Sequence, residues 1–371
     1  MIYVHLIDEL RVGGAQTHLV TMLRGLLPTS KAEHHVVSLF GDGEMSGQFR
    51  SLGIQVHIFD FSPHLARRSF LAATSELKCF FEELHPEVVE AHLTWSRLLG
   101  LFAAWRAGVP RRIGFEQGDT YLNSWKFRLA NFVAQLFAHH IVVCSYALKD
   151  WMHRTHGVRA SKLVVLHNCV DLHRFSAQQP AAEDMGRNAE VLRFCAVGTL
   201  GRGVNKRVDV LIRGLAVARS DGANAELVVC GDGNQKEELE ALAASLDLGP
   251  YVRFLGTRSD VAQILRGCDV FCHAAPFEPF GIVAIEAMAA TLPIIVPDAG
   301  GIRETVIEGQ TGLLYPALDH VSLGRAMAKL AADSQLRRRM GEAGRELAQS
   351  KFSVEQYIPC ISHLYQISAV L

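Results

Sequence analysis

Short apolar runs alternate along this chain with longer stretches in which apolar residues recur every three or four positions. The first pattern predicts buried strands, the second helices with one buried face. Residues 1–8 read as a strand, and Arg11-Val12-Gly13-Gly14-Ala15 as a turn into a helix whose buried face is Leu19, Met22, Leu23 and Leu26. Further strands are expected at 34–40, 55–60, 88–93, 112–115, 140–145 and 163–167, with helices at 67–84, stopped by His85-Pro86, and at 95–106. A second alternating series places strands at 192–197, 226–230, 252–255, 270–273 and 293–296, with helices in the gaps. Repeated β–α units of this kind predict parallel sheets covered on both faces. Between the two series, residues 176–188 are rich in Ala, Gln, Pro and acidic residues and read as a linker. The expected domains are 1–175 and 176–351. The last segment, 352–371, is an amphipathic helix.

Composition changes this picture little. The 371 residues are enough for two domains with a sizeable core each. The chain is 49% hydrophobic and 20% charged with a formal net charge of -1, which gives no support for nucleic acid as a partner. Apolar runs fall short of the ~18 residues of a spanning helix. Met1 leads directly into a strand-like run, so no signal peptide is expected. The eight cysteines show no CxxC spacing, and several fall inside apolar runs. Reduced core thiols in a cytoplasmic protein are the expectation.

The chemistry concentrates in Pro276-Phe277-Glu278-Pro279-Phe280-Gly281-Ile282-Val283-Ala284-Ile285-Glu286-Ala287-Met288. Two carboxylates stand eight positions apart, Glu278 in a proline-bracketed loop and Glu286 one turn inside a helix. Pro279 suits the entry turn, because its ring presets φ and it needs no N–H there. The amides of Phe280, Gly281 and Ile282 would then be free at the helix start, where phosphate or sugar oxygens bind readily. Glu286 can accept hydrogen bonds from a vicinal diol such as a ribose, and Glu278 can face a sugar at the helix tip. The bland alternative is an amphipathic helix with an incidental acidic start.

This stretch resembles the E-x7-E motif of retaining glycosyltransferases of family 4, which have the GT-B architecture: two Rossmann-like domains with parallel sheets facing a central cleft. The resemblance is strong over 191–316 and weaker over 1–170. It implies that Gly13 and Gly14 face the donor across the cleft, and that the C-terminal helix packs back on the first domain. Asn168-Cys169-Val170-Asp171 resembles the family's Asn-Gly-Val-Asp, with Cys169 in place of Gly. Gly231-Asp232-Gly233 also fits the family; Asp232 is either functional or a favourable acidic residue at a helix start.

Val197-Gly198-Thr199-Leu200-Gly201-Arg202 and Lys206-Arg207-Val208-Asp209 open the second domain. Two cations there suit a diphosphate and neutralise the charge that grows as a sugar–phosphate bond breaks. Lys206 matches the family's lysine. The usual arginine position holds Thr199, and Arg202 is positioned to supply the guanidinium instead. A solvated basic loop is the alternative reading. On the acceptor side, His92, Glu116, Gln117 and Asp119 follow two successive strands. Glu116 and Gln117 stand where family members often carry a histidine. Asp119 is either an acceptor-side base or a loop residue holding its own turn, and His92 is either functional or a satisfied core side chain. Tyr121, Trp125, Lys126, Phe127 and Arg128 share an expected helix. They could touch a lipid-linked acceptor at the inner face of a membrane, or simply form a domain-covering helix with a solvated basic edge.

With no D-x-D spacing and no His/Cys cluster at metal-ligand spacing, no metal site and no cofactor are expected. The resemblance implies a sugar transferred from a nucleotide-sugar donor to an acceptor hydroxyl with retention, in glycan, polysaccharide or glycolipid biosynthesis. The acceptor would be a sugar or a lipid-linked sugar. Two other readings stay open: a sugar-nucleotide epimerase on the same scaffold, and a non-catalytic sugar-binding member.

Overall fold

The alternating runs form the strands they predict, and the helices between them cover both faces of two parallel sheets. The computed structural model describes residues 1–63, 69–118, 125–175, 182, 190–201 and 206–367. It divides into two units, Met1–Cys169 with Val354–Leu371, and Val170–Ser353.

The first unit carries β1 (Ile2–Ile7), β2 (Glu33–Ser38), β3 (Gln55–Ile58), β4 (Val88–His92), β5 (Arg111–Glu116), β6 (His140–Val143) and β7 (Leu163–Val165). Their order in the sheet is β3-β2-β1-β4-β5-β6-β7, and every described pair is parallel. The second unit carries β8 (Leu192–Val197), β9 (Ala225–Cys230), β10 (Val252–Phe254), β11 (Val270–Cys272), β12 (Ile294–Pro297) and β13 (Gly312–Tyr315), in the order β10-β9-β8-β11-β12-β13, again parallel. β13 was not expected from the pattern, because Gly312-Leu313-Leu314-Tyr315 is too short a run to stand out.

In both sheets the strand order reverses once, between β1 and β4 and between β8 and β11. Such a switch point opens a crevice at the carboxyl ends of the strands, because the two flanking connections leave on opposite faces. The loops after β8 and β11 therefore lie at the second unit's switch point. These loops hold Lys206 and Glu278.

The C-terminal helix Val354–Ile367 belongs to the first unit. Tyr357, Ile358, Ile361 and Tyr365 join a core with Leu19, Met22 and Leu23 of the helix Gly14–Leu26. Gly25 lets the helices approach: a Cβ there would lie 2.0 Å from Val354 Cγ1. The stretch after β4 departs from a plain helix, with a π-helical turn at Ser96–Gly100 before the α-helix Leu101–Arg106. The buried Arg97 sits in that turn.

Candidate active site in the second unit

Glu278 hangs in the loop between β11 and the helix Ile282–Ala289. Two glycines fix the loop. Gly281 caps the helix with φ +81°, and a Cβ there would lie 2.8 Å from Ile302 Cδ1. Gly301 N donates to Glu278 O at 2.8 Å, which ties the loop to the Gly300-Gly301 turn after β12. Thus positioned, the Glu278 carboxylate accepts from Lys206 Nζ at 2.6 Å and lies 3.2 Å from His273 Nε2. Burial alone would raise its pKa, but Lys206 and His273 outweigh burial and hold it at about 2. Lys206 and His273 thus favour the ionised form of Glu278, and burial keeps His273 below its ordinary pKa.

Lys206 reaches this point from the loop after β8. Its side chain lies along Gly198, where a Cβ would meet Lys206 Cε at 3.2 Å. The same loop crosses the one after β9: Leu200 N donates to Asp232 O at 2.9 Å, and a Cβ on Gly231 would lie 1.9 Å from Gly198 O. Asp232 turns its carboxylate to the amide of Gly233 at 2.7 Å, the role of a turn-forming aspartate. Beside Lys206 a cavity of about 280 Å³ is lined by Thr199, Leu200, Arg207, Asp209 and Gln235 among others. A second concavity, lined by Leu192, Asn224, Asp269 and Arg337, opens at the amino ends of β8, β9 and β11, away from the switch point.

Glu286 sits on the second turn of the helix Ile282–Ala289, half-buried, with no side-chain hydrogen bond among the described residues. Burial pushes its pKa up to about 7, against the pull of Arg174. Two carboxylates of one motif are thus driven apart, one held well below its ordinary value and one near its midpoint at neutral pH. The side chain of Phe280 is core, edge-on to Phe352 with ring centroids 5.6 Å apart. The amides of Gly281 and Ile282 donate to no described acceptor.

Arg207 lines the cavity beside Lys206 but is paired with another carboxylate. It adopts a left-handed backbone at the start of the helix Val208–Ser220 and is clamped to Asp209 by two contacts of 2.8 Å. Arg202 lies outside the described residues. His273, which completes the Glu278 cluster, was not singled out from sequence. A histidine at a strand's carboxyl end, on the strand that leads into the motif, was the available signal.

The first unit places its candidates differently. Gly13 precedes the helix Gly14–Leu26 in extended backbone that any residue adopts, and a Cβ there would lie 2.5 Å from Gln16 Oε1. Two of the acceptor-side candidates are buried. Glu116 is 0% exposed; it pairs with Arg97 Nη2 and accepts from Gly118 N at 2.9 Å. His92 is equally buried, stacked on Phe115 with centroids 4.6 Å apart. Gln117 Nε2 donates to His18 Nδ1 at 2.8 Å. Asp119 and Tyr121 lie outside the described residues.

A buried polar cluster runs through the same core. His5 meets Glu90, Tyr365 OH donates to Glu90 Oε1 at 2.6 Å, and His5 Nε2 and His34 Nδ1 lie 2.9 Å apart. Ligand-type atoms of His5, Glu90 and His92 come within 4.8 Å of one another, an arrangement chain spacing could not show because β1 and β4 are far apart in sequence. Glu90 already has hydrogen-bond partners on both oxygens, which is the geometry of a structural network. His5 and His92 outweigh the burial of Glu90 and hold its carboxyl well below the usual carboxylate range.

Comparison with known proteins agrees with this architecture. The family model described as Glycosyltransferase Family 4 matches residues 12–174, and that described as Glycosyl transferases group 1 matches residues 182–347. The chain belongs to the group 1, family 4 glycosyltransferases. This glycosyltransferase is 26% identical over 356 residues to the capsular polysaccharide biosynthesis glycosyltransferase CapM of Staphylococcus aureus, covering 91% of this chain and 92% of CapM. It is 32% identical over 192 residues to the lipopolysaccharide core biosynthesis glycosyltransferase LpsE of Rhizobium meliloti (strain 1021), covering 52% of this chain and 54% of LpsE. Among solved structures, Anabaena Alr3699/HepE in complex with UDP and glucose superposes with a TM-score of 0.85 at 22% identity over 100% of both chains. The glycosyltransferase fold is of GT-B type, with two Rossmann-like units.

Proposed function

We propose that this glycosyltransferase moves a sugar from a nucleotide-sugar donor to an acceptor hydroxyl with retention of anomeric configuration, in polysaccharide or glycan biosynthesis. The observation that carries the reading is the contact of Lys206 Nζ with Glu278 Oε2 at 2.6 Å, at a sheet switch point beside a helix start. A cation and an anion held there offer one group for phosphate and one for sugar hydroxyls. The relatives named for capsular polysaccharide and lipopolysaccharide core biosynthesis, and the UDP and glucose bound by HepE, support the substrate class.

On this reading Lys206 meets the diphosphate, the amides of Gly281 and Ile282 add donors at the helix start, and Arg202 supplies a second cation. Their contacts strengthen as the leaving group gains charge, so they favour the transition state over the bound donor. Glu278 hydrogen-bonds donor-sugar hydroxyls, and Glu286 accepts from the ribose. The acceptor is a sugar or lipid-linked sugar, used on the cytoplasmic side. No metal is required, since the phosphate charge is met by side chains and amides.

A thermal-shift screen against nucleotide sugars, with and without chelator, tests this. A cognate donor should raise the unfolding temperature by mass action, and transfer should survive EDTA and give product with the donor's anomeric configuration. Transfer abolished by EDTA and restored by Mn²⁺ rejects the metal-free site; an inverted product rejects retention. Glu286→Ala should weaken binding of nucleoside diphosphate alone by about 1.5–3 kcal/mol. Glu278→Ala should matter only when the ligand carries its sugar. Equal calorimetric losses for both ligands in both variants reject these assignments.

A further inference from the structure

Two nitrogens converge on one oxygen of Glu278. Lys206 Nζ donates to Oε2 at 2.6 Å, and His273 Nε2 lies 3.2 Å from the same atom, which leaves Oε1 without a described partner. Among the described residues no other side-chain donor contacts this carboxylate. The two contacts are not equal. Lys206 makes a short, charge-assisted hydrogen bond. His273 Nε2 is buried, yet it makes no aligned hydrogen bond to Glu278 or to any other described atom. Such a nitrogen costs free energy, and in a native protein it calls for a reason.

The backbone of His273 is fixed just past β11. Its N–H donates to Ile295 O of β12 at 2.9 Å, and its carbonyl accepts from Tyr315 OH of β13 at 2.8 Å. Tyr315 is itself buried. What remains adjustable is the ring. Its distance to Oε2 is already within hydrogen-bond range, and what the contact lacks is alignment, which a turn of the ring supplies.

Lys206 carries one charge. A diphosphate beside it competes for that charge even where one N–H stays on Oε2. The hold on Glu278 then weakens just when its carboxylate must meet sugar hydroxyls. We propose that His273 takes over at this point: its Nε2–H closes on Oε2 and keeps Oε1 turned toward the sugar while Lys206 serves the diphosphate. His273 acts through Glu278, so it is a positioning residue. A carboxylate held by two groups in turn keeps the orientation that its contacts need, and small misplacements are costly there. The inference rests on the donor-site reading for the diphosphate. The exchange between Lys206 and His273 belongs to the protein alone and can be tested without a donor.

Imidazole ¹H–¹⁵N spectra of the whole chain, labelled at its 17 histidines, test the proposal. His273→Gln assigns the His273 signals by their loss. In folded Lys206→Ala, with no ligand present, the His273 Nε2–H proton should move downfield and exchange with solvent about tenfold more slowly than in the wild type. Lys206→Met, which keeps much of the side chain's length without its charge, should do the same and serves if the first variant does not fold. Glu278→Ala in the same background should return exchange to the wild-type rate, because the acceptor is gone. In the wild type, inorganic pyrophosphate should produce the same change as Lys206→Ala. Folded Lys206 variants whose His273 signals match the wild type overturn the proposal, as does slowed exchange that persists without Glu278. A change in the Lys206 variants but none with pyrophosphate supports His273 as the second holder of Glu278 and rejects the diphosphate reading of the site instead.

Discussion

Glu116 and Glu278 each lie at the carboxyl side of a parallel strand, one in each unit, and each is paired with a base. Glu116 and Arg97 are 0% and 1% exposed, whereas Glu278 and Lys206 are 13% and 24% exposed. The first pair is sealed: Arg97 also donates from Nε to Leu93 O at 3.1 Å, so its guanidinium is committed on two sides. The second has access to solvent, and an ammonium with three donors can keep Glu278 while donating to a further oxygen. The same acid–base chemistry is thus shut away from solvent in one unit and open to it in the other. The difference matters, because a pair without access to ligand can only stabilise or destabilise the fold.

The largest expected effect breaks the sealed pair. Arg97→Ala leaves Glu116 buried without its cation and should cost about 3–5 kcal/mol of stability, read from the urea midpoint. Arg97→Met combined with Glu116→Gln should recover most of it. A near-native midpoint for Arg97→Ala would show that the pair is not sealed in solution.

Lys206→Ala should invert that outcome. Turnover should fall about a hundredfold, ~2.7 kcal/mol, with donor KM changed less. The unfolding midpoint should move much less than for Arg97→Ala, because the Glu278 carboxylate remains in reach of water. Lys206→Ala that unfolds the protein while its folded fraction keeps wild-type kcat would make the second pair structural as well.

pH should separate His18 and His34 of the first unit from Glu286 of the second by sign. In the first unit burial lowers the pKa of His18 and His34 from the ordinary 6.5 to about 3. Both bind fewer protons folded than unfolded, so their contribution is intact above pH 6.5 and lost as pH falls below it. By pH 5 the loss is roughly 1–2 kcal/mol per histidine. In the second unit Glu286 is raised from 4.5 to about 7. It binds more protons folded than unfolded, so its contribution falls as pH rises between those values. Hydrogen exchange read strand by strand should show β1 and β2 losing protection from pH 7 to pH 5. Glu286→Gln should raise the stability of the second unit at pH 8 and do little near pH 4.5. Glu286→Gln without effect on stability at pH 8, or β1 and β2 equally protected at pH 7 and pH 5, would contradict this opposition.

The smallest effect concerns Tyr365. Tyr365→Phe removes its hydrogen bond to the buried Glu90 and should cost about 1.5 kcal/mol. A thermal melt should show a modest drop in midpoint with wild-type turnover. A lost activity instead would tie the Glu90 network to catalysis.

What could be read from the sequence alone was local. Alternation and helical spacing located nearly all the strands, because continuous apolar runs are what a sheet buried on both faces requires. The loop chemistry around Glu278 and Glu286 was legible too, since proline, glycine and a helix start act within a few residues. β13 was missed because a short strand takes its stability from the partner it pairs with. Tertiary structure alone decided the partners: that Lys206 meets Glu278, that His273 joins them, that Arg207 is held by Asp209, and that Glu116 and His92 are shut inside. It also decided that Asn131 and Gln135 of the helix Trp125–Phe137 face inward while Trp125, Leu129, Phe132 and Leu136 face out. The physical reason is the same in each case. A side chain's residue type sets the bonds it can make, but its desolvation and its neighbours come from strands and helices distant in sequence, and those terms determine whether a charged group binds, catalyses or simply holds the fold.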